Sequence, residues 1–124
     1  YTIDTIVSEG EAKVVLPRVR SKMNGGISVA GSFEKNKEII DYCKKIISSL
    51  NLSGPIGLQV KRSKEGVFKI LEINPRIQGT SIAALGAGVN LPLLAVYSIM
   101  NNHIETPDVC WDTKFARYYK EIFF

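Results

Sequence analysis

The stretch 54–92, GPIGLQVKRSKEGVFKILEINPRIQGTSIAALGAGVNLP, decides the reading of this chain. Within it, 56–62 and 67–73 are β-branched, apolar runs of strand length, separated by a segment ending in Glu65-Gly66. If Glu65-Gly66 is a two-residue loop, Lys64 pairs with Val67 and paired residue numbers keep a constant sum. Counting along that ladder sets Gln59 opposite Glu72, on one face, with Cβ atoms about 5 Å apart. Leu58, Val60, Leu71 and Ile73 then share the opposite face, so one face is apolar and the other polar. A four-residue loop would set Gln59 against Ile70 and leave the two polar side chains on one face but diagonal.

The polar face has a chemical consequence. Gln59 and Glu72 offer oxygens from paired strands, and Asn74 offers a third at the strand end, before Pro75 stops the ladder. Such a set can hold divalent cations against a polyphosphate, with Arg76 placed to neutralise phosphate charge. Asn and Pro also end strands for local reasons, and a lone strand Gln is ordinarily solvated. It is the pairing of Gln59 with Glu72 that favours the functional reading.

The chain has 124 residues, enough for one domain with its own core, and we read 1–124 as a single domain. At 45% hydrophobic and 23% charged, its composition is that of a soluble globular domain. No apolar stretch approaches the roughly 20 residues of a membrane span. It begins at Tyr1, within an apparent strand, and reads as part of a longer protein. Cys43 and Cys110 make no disulfide framework, which suits reduced thiols in a cytoplasmic protein. The net charge of +4 favours anionic partners only weakly, and no basic run interleaved with aromatics indicates nucleic-acid binding.

Residues 1–8 and 11–19 predict a β-hairpin turning at Glu9-Gly10. Residues 21–31, rich in Gly, Ser and Asn, lack periodicity and read as a loop, with Gly25-Gly26 allowing a tight turn. A helix follows with Ser32 as cap, its stripe formed by Ile39, Ile40, Cys43, Ile46, Ile47 and Leu50. After the 56–74 hairpin come a short helix at 80–87 and a second at 91–101 capped by Asn90. Residues 102–113 read as a loop and 115–124 as an aromatic edge strand. The expected class is α+β, an antiparallel sheet of hairpins with helices packed on one face.

Arg18 and Arg20 share a strand face. With Lys22 they read either as a grip for a carboxylate or phosphate, or as scattered charge on an exposed edge. Asp4 reads as a surface strand acid, with a place beside a bound ligand as the other reading, His103 as structural or solvated, and Trp111, Phe115, Tyr118, Tyr119, Phe123 and Phe124 as packing residues. No Ser-His-Asp or Cys-His set points to covalent catalysis.

The segments Gly-Pro-Ile-Gly-Leu-Gln, Ile-Leu-Glu-Ile-Asn-Pro-Arg and Gly-Ala-Gly-Val-Asn-Leu-Pro resemble the metal-binding end of an ATP-grasp domain. The resemblance is to the branch typified by the large subunit of carbamoyl phosphate synthase, among the carboxylate–amine ligases. It is strong at 54–92 and loose at 8–50. It implies that Gln59 and Glu72 hold one Mg²⁺ (or Mn²⁺), and that Glu72 bridges to a second ion also held by Asn74. Arg76 would contact the transferring phosphoryl group or the acyl phosphate, as the catalytic residue, with Gln78 beside it. Many relatives carry Glu where this chain has Gln59, which removes one negative charge from the metal site.

The resemblance further implies the C-terminal lobe of an ATP-grasp module, with the N-terminal lobes and their nucleoside pocket lying upstream. The parent would be an ATP-dependent ligase that phosphorylates a small carboxylate or bicarbonate-like substrate. A nitrogen nucleophile would then attack the acyl phosphate, and the lobe alone would be inactive. The alternative is a non-catalytic nucleotide- or partner-binding module that retains the fold.

Overall fold

Strand β1 (Thr2–Ser8) is buried along its whole length, because it lies inside the sheet and is covered on both faces. The computed structural model describes residues 1–124. It holds β2 (Glu11–Asn24), β3 (Ile27–Phe33), α1 (Lys37–Ser49), β4 (Gly54–Arg62), β5 (Phe68–Asn74), α2 (Ala83–Gly86), α3 (Leu91–Ile99) and β6 (Lys114–Ala116). The strands form one antiparallel sheet in the order β5-β4-β1-β2-β3-β6.

The hairpins follow from local chemistry. Glu9 and Gly10 both have positive φ, as do Gly25 and Gly26, which is the backbone a two-residue hairpin loop needs. The first turn is the one expected. The second shows that 21–31 is not a loop: β2 runs on to Asn24 and returns as β3. Ser32 therefore lies within β3 rather than capping a helix. The cap of α1 is Asn36, whose side-chain oxygen accepts from Ile39 N at 3.1 Å. Asn90 caps α3 in the same way, accepting from Leu93 N at 3.1 Å.

Side-chain alternation sends neighbouring residues of β1 and β2 to opposite faces. Ile3 and Val15 pack with Leu58 and with Ile39, Cys43 and Ile47 of α1. Ile6, Val14 and Leu16 pack with Ala84, Leu91 and Ala95 of α2 and α3. The α+β class and the antiparallel hairpins are as expected, but the helices flank both faces rather than one. Thr80–Ala87 is helical as α-helix only over Ala83–Gly86, preceded by tight turns from Gln78 onward.

The β4–β5 ladder departs from the simple count in two compensating ways. Its loop spans three residues, Lys64 to Gly66, closed by Ser63 N donating to Val67 O at 2.8 Å, with Gly66 at φ +83°. That shifts Val60 onto Ile70. A β-bulge between Gln59 and Val60 then takes up Leu71 and restores the pairing of Gln59 with Glu72. The bulge turns Leu71 outward, 63% exposed, and so removes it from the expected apolar face.

The tail also differs from expectation. Only Lys114–Ala116 forms a strand, against β3, with Arg117 N donating to Val29 O at 2.8 Å. Trp111 and Phe115 pack as expected, whereas Tyr118, Tyr119, Phe123 and Phe124 are exposed. No helix is long and apolar enough to cross a membrane.

Candidate functional site

Register sets four side chains in one row across the sheet: Glu72 on β5, Gln59 on β4, Thr2 on β1 and Arg18 on β2. Two residues further along β5, Asn74 lies on the same face, opposite Gly57. The chain then leaves the sheet at Pro75 and carries Arg76 and Gln78 over this face. Together with Arg20, Ser28 and Thr80 these residues line a polar cavity of about 240 Å³ in which Ile27 is the one apolar side chain.

Gln78 anchors the covering loop. Its Nε2 donates to Ile3 O at 3.0 Å, and its side chain lies flat over Gly57, where a Cβ would come within 2.3 Å of Gln78 Cγ. Only glycine at 57 allows that approach. Arg76 is exposed on the rim. Its Nη1 donates to Ile77 O at 3.2 Å, and it has no carboxylate partner.

A chain of hydrogen bonds links the two sides of the cavity. Gln59 Nε2 donates to Glu72 Oε2 at 2.5 Å, and Gln59 Oε1 accepts from Arg20 Nη1 at 2.9 Å. Arg20 Nη2 continues to Gly26 O at 2.6 Å, in the β2–β3 turn. The contact between Arg20 and Gln59 was not legible in the sequence, because it crosses β1 and joins residues 39 apart.

Arg18 is not part of an exposed edge. It is 1% exposed and bonded through Nη2 to Asp4 Oδ2 at 3.1 Å, beneath the ring of Phe115. Asp4, expected at the surface, is buried because Leu16 and Gly57 flank it within the sheet. Burial raises the Asp4 carboxyl above its usual value, and the single Arg18 contact offsets this only in part. Lys22 and His103 are exposed.

The donor set fits a hard cation of the Mg²⁺ or Mn²⁺ kind. It offers the Glu72 carboxylate and the Asn74 amide on one face, with a second amide oxygen, Gln59 Oε1, engaged by Arg20, beside an arginine free of any carboxylate. No cluster of three or more His, Cys, Asp or Glu exists, so tight binding by protein ligands alone is not built in. Mg²⁺ characteristically uses one or two carboxylates and takes its remaining oxygens from phosphate and water.

The site is thus a polar cavity over an antiparallel sheet, with one carboxylate, two amides and two arginines, Arg20 and Arg76, that have no carboxylate partner. The chain belongs to the ATP-grasp family described as ATP-grasp in the biosynthetic pathway with Ter operon, whose model matches residues 1–120. No curated protein matches it. Among solved structures it is similar to the phosphoribosylaminoimidazole carboxylase ATPase subunit from Aquifex aeolicus. That likeness has TM-score 0.70 and 19% identity, over 87% of this chain and 34% of the other. It is also similar to N5-carboxyaminoimidazole ribonucleotide synthetase in its ADP complex, with TM-score 0.67 and 15% identity, over 91% of this chain and 31% of the other. A third is the biotin carboxylase domain of Hydrogenobacter thermophilus 2-oxoglutarate carboxylase, with MgADP, ADP and bicarbonate. Its TM-score is 0.64 and its identity 12%, over 91% of this chain and 27% of the other. The chain thus spans about a third of the length of the structures it matches.

Proposed function

We propose that this chain is the metal- and phosphate-binding C-terminal lobe of an ATP-dependent carboxylate–amine ligase, of the carbamoyl phosphate synthase-like branch. N-terminal lobes of the same protein would supply the nucleoside pocket, and the setting would be cytoplasmic, where Cys43 and Cys110 stay thiols. The observation that carries the reading is the direct pairing of Gln59 with Glu72 on the face that lines the cavity, with Asn74 and Arg76 on the same rim. The ADP and the MgADP with bicarbonate in two structures of the same fold support ATP, magnesium and a small carboxylate-like acid as ligands.

In this reading Gln59, Glu72 and Asn74 would hold Mg²⁺, and Gln59 Oε1 would have to give up Arg20 to do so. The ion supplies charge neutralisation for phosphoryl transfer from ATP to a substrate carboxylate. Arg76 neutralises the moving phosphoryl group, and Gln78 holds the loop that positions Arg76. The γ-phosphorus–oxygen bond of ATP breaks as the carboxylate oxygen bonds to phosphorus. A nitrogen nucleophile then displaces phosphate from the acyl phosphate. Catalysis is positioning and electrostatics.

Single-turnover rates of acyl phosphate formation in the full-length parent test this across a Mg²⁺ series. Glu72→Gln should slow the step more than Gln59→Ala or Asn74→Ala, because it alone removes a charge. Arg76→Ala should slow it severely while leaving the Mg²⁺ dependence nearly unchanged. If modest extra Mg²⁺ rescued Glu72→Gln but not Gln59→Ala, the role given to Glu72 would be wrong. The chain on its own should show no ATP turnover.

A further inference from the structure

The cavity has two chemically different ends. Along the row from Glu72 to Arg18 the strands are about 4.8 Å apart, so three steps separate the two backbones by about 14 Å. Oxygen ligands occupy the β4–β5 end and guanidinium groups the β2–β3 end.

At the β2–β3 end, donors are left over. Arg18 uses Nη2 for Asp4, but its Nε and Nη1 are buried without a partner, and so is Ser28 Oγ. Asp4 compensates the charge of Arg18. Nothing compensates Arg20, whose bonds go to Gln59 Oε1, Gly26 O and Met23 Sδ. A buried charged donor left unpaired is costly. Nε–H and Nη1 face different sides of the guanidinium, so each is a single donor; a carboxylate oxygen can accept from one of them, and Ser28 can add a further donor. Since those nitrogens are buried, entry has to shift a side chain. Arg20, long and two residues away on the same face, is the one able to move.

We propose that Arg18, Arg20 and Ser28 form a subsite for a non-reacting carboxylate of the substrate, separate from the metal and phosphate end. This rests on the ligase reading above and narrows it. The substrate is a small acid that carries a second carboxylate beside the group that reacts.

The test is to titrate the chain with succinate, and separately with inorganic phosphate, with and without Mg²⁺. The readout is the arginine Nε–H and backbone amide NMR signals. Succinate should shift the Arg18 and Arg20 signals and the Ser28 amide, with a dissociation constant in the millimolar range, whether or not Mg²⁺ is present. Arg20→Gln should weaken it about tenfold and Ser28→Ala about threefold to tenfold. Arg18 is left unsubstituted because its removal strands Asp4 in the core. Absence of any succinate response, or unchanged affinity in both variants, overturns the subsite. Equal competition by phosphate at the same signals also overturns it and assigns this end to the nucleotide. The metal reading fails separately, if Mg²⁺ supplied together with inorganic pyrophosphate leaves the Glu72 and Asn74 signals unmoved while succinate still binds.

Discussion

Hairpins β4–β5 and β2–β3 flank β1 on either side, yet only the first is plain in the sequence. In β4–β5 the inward residues of one face are apolar, Ile56, Leu58 and Val60, so the period-2 pattern stands out. In β2–β3 the residues turned to the cavity are Arg18, Arg20 and Ser28, which carry no hydrophobic period. A strand whose inner face lines a polar site looks like a loop. The contrast extends to chemistry, since one hairpin brings a carboxylate and two amides to the cavity and the other brings cations.

The largest way to break that contrast is at the point where the cationic hairpin is fastened to β1. Asp4→Ala leaves Arg18 buried and uncompensated, and should cost about 3–5 kcal/mol in urea unfolding. Replacing both residues with apolar ones, Asp4→Leu with Arg18→Met, should recover most of the loss. A loss under about 1 kcal/mol for Asp4→Ala would show that the hairpin is not held by this pair. The pH dependence has a definite sign. The Asp4 carboxyl is raised in the folded chain, so its linked contribution is full below the usual aspartate value, about 3.9, and is lost as pH rises through the raised folded value. Comparing unfolding curves of the wild type and Asp4→Ala over that range should isolate the slope.

The next effect lies on the oxygen-bearing side. Gly57→Ala drives a methyl group into Gln78 and should cost about 1–3 kcal/mol, read by thermal or urea unfolding. Gln78→Ala in the same background should restore part of it; no rescue would mean that β4 itself resists the change. Gln59→Ala, which cuts the side-chain link between the hairpins, should cost about 0.5–1.5 kcal/mol. It should also speed amide exchange around Gly25-Gly26, whereas unchanged exchange there would show that Arg20 holds the turn unaided. Leu71→Lys should matter least, within about 0.5 kcal/mol, because the bulge turns this side chain to solvent. A core-sized loss would mean that the bulge closes in solution.

Much of the framework could be read from sequence. The α1 stripe buries Ile39, Cys43 and Ile47 as its spacing implies, and Asn90 caps α3. The Gln59–Glu72 pairing is present, although by a route the count did not contain, a longer loop offset by a bulge. Ser32 misled because a hydroxyl before a helix pattern resembles a cap, while Asn36 nearer the helix does the capping. The exposure of Tyr118, Tyr119, Phe123 and Phe124 had no local signal, because an aromatic run looks like packing whether or not anything covers it.

By itself the sequence determined the hairpins whose inner faces are apolar, the helix that covers them, and the placement of Gln59, Glu72 and Asn74 on one polar face. These follow from side-chain periodicity and from residue chemistry a few positions apart. Tertiary structure alone decided that Arg18 and Asp4 are buried together, that Arg20 reaches Gln59 across β1, and that helices close both faces. Each of these depends on which strands become neighbours. That is set by the total burial of the folded sheet, and no local stretch of the chain encodes it.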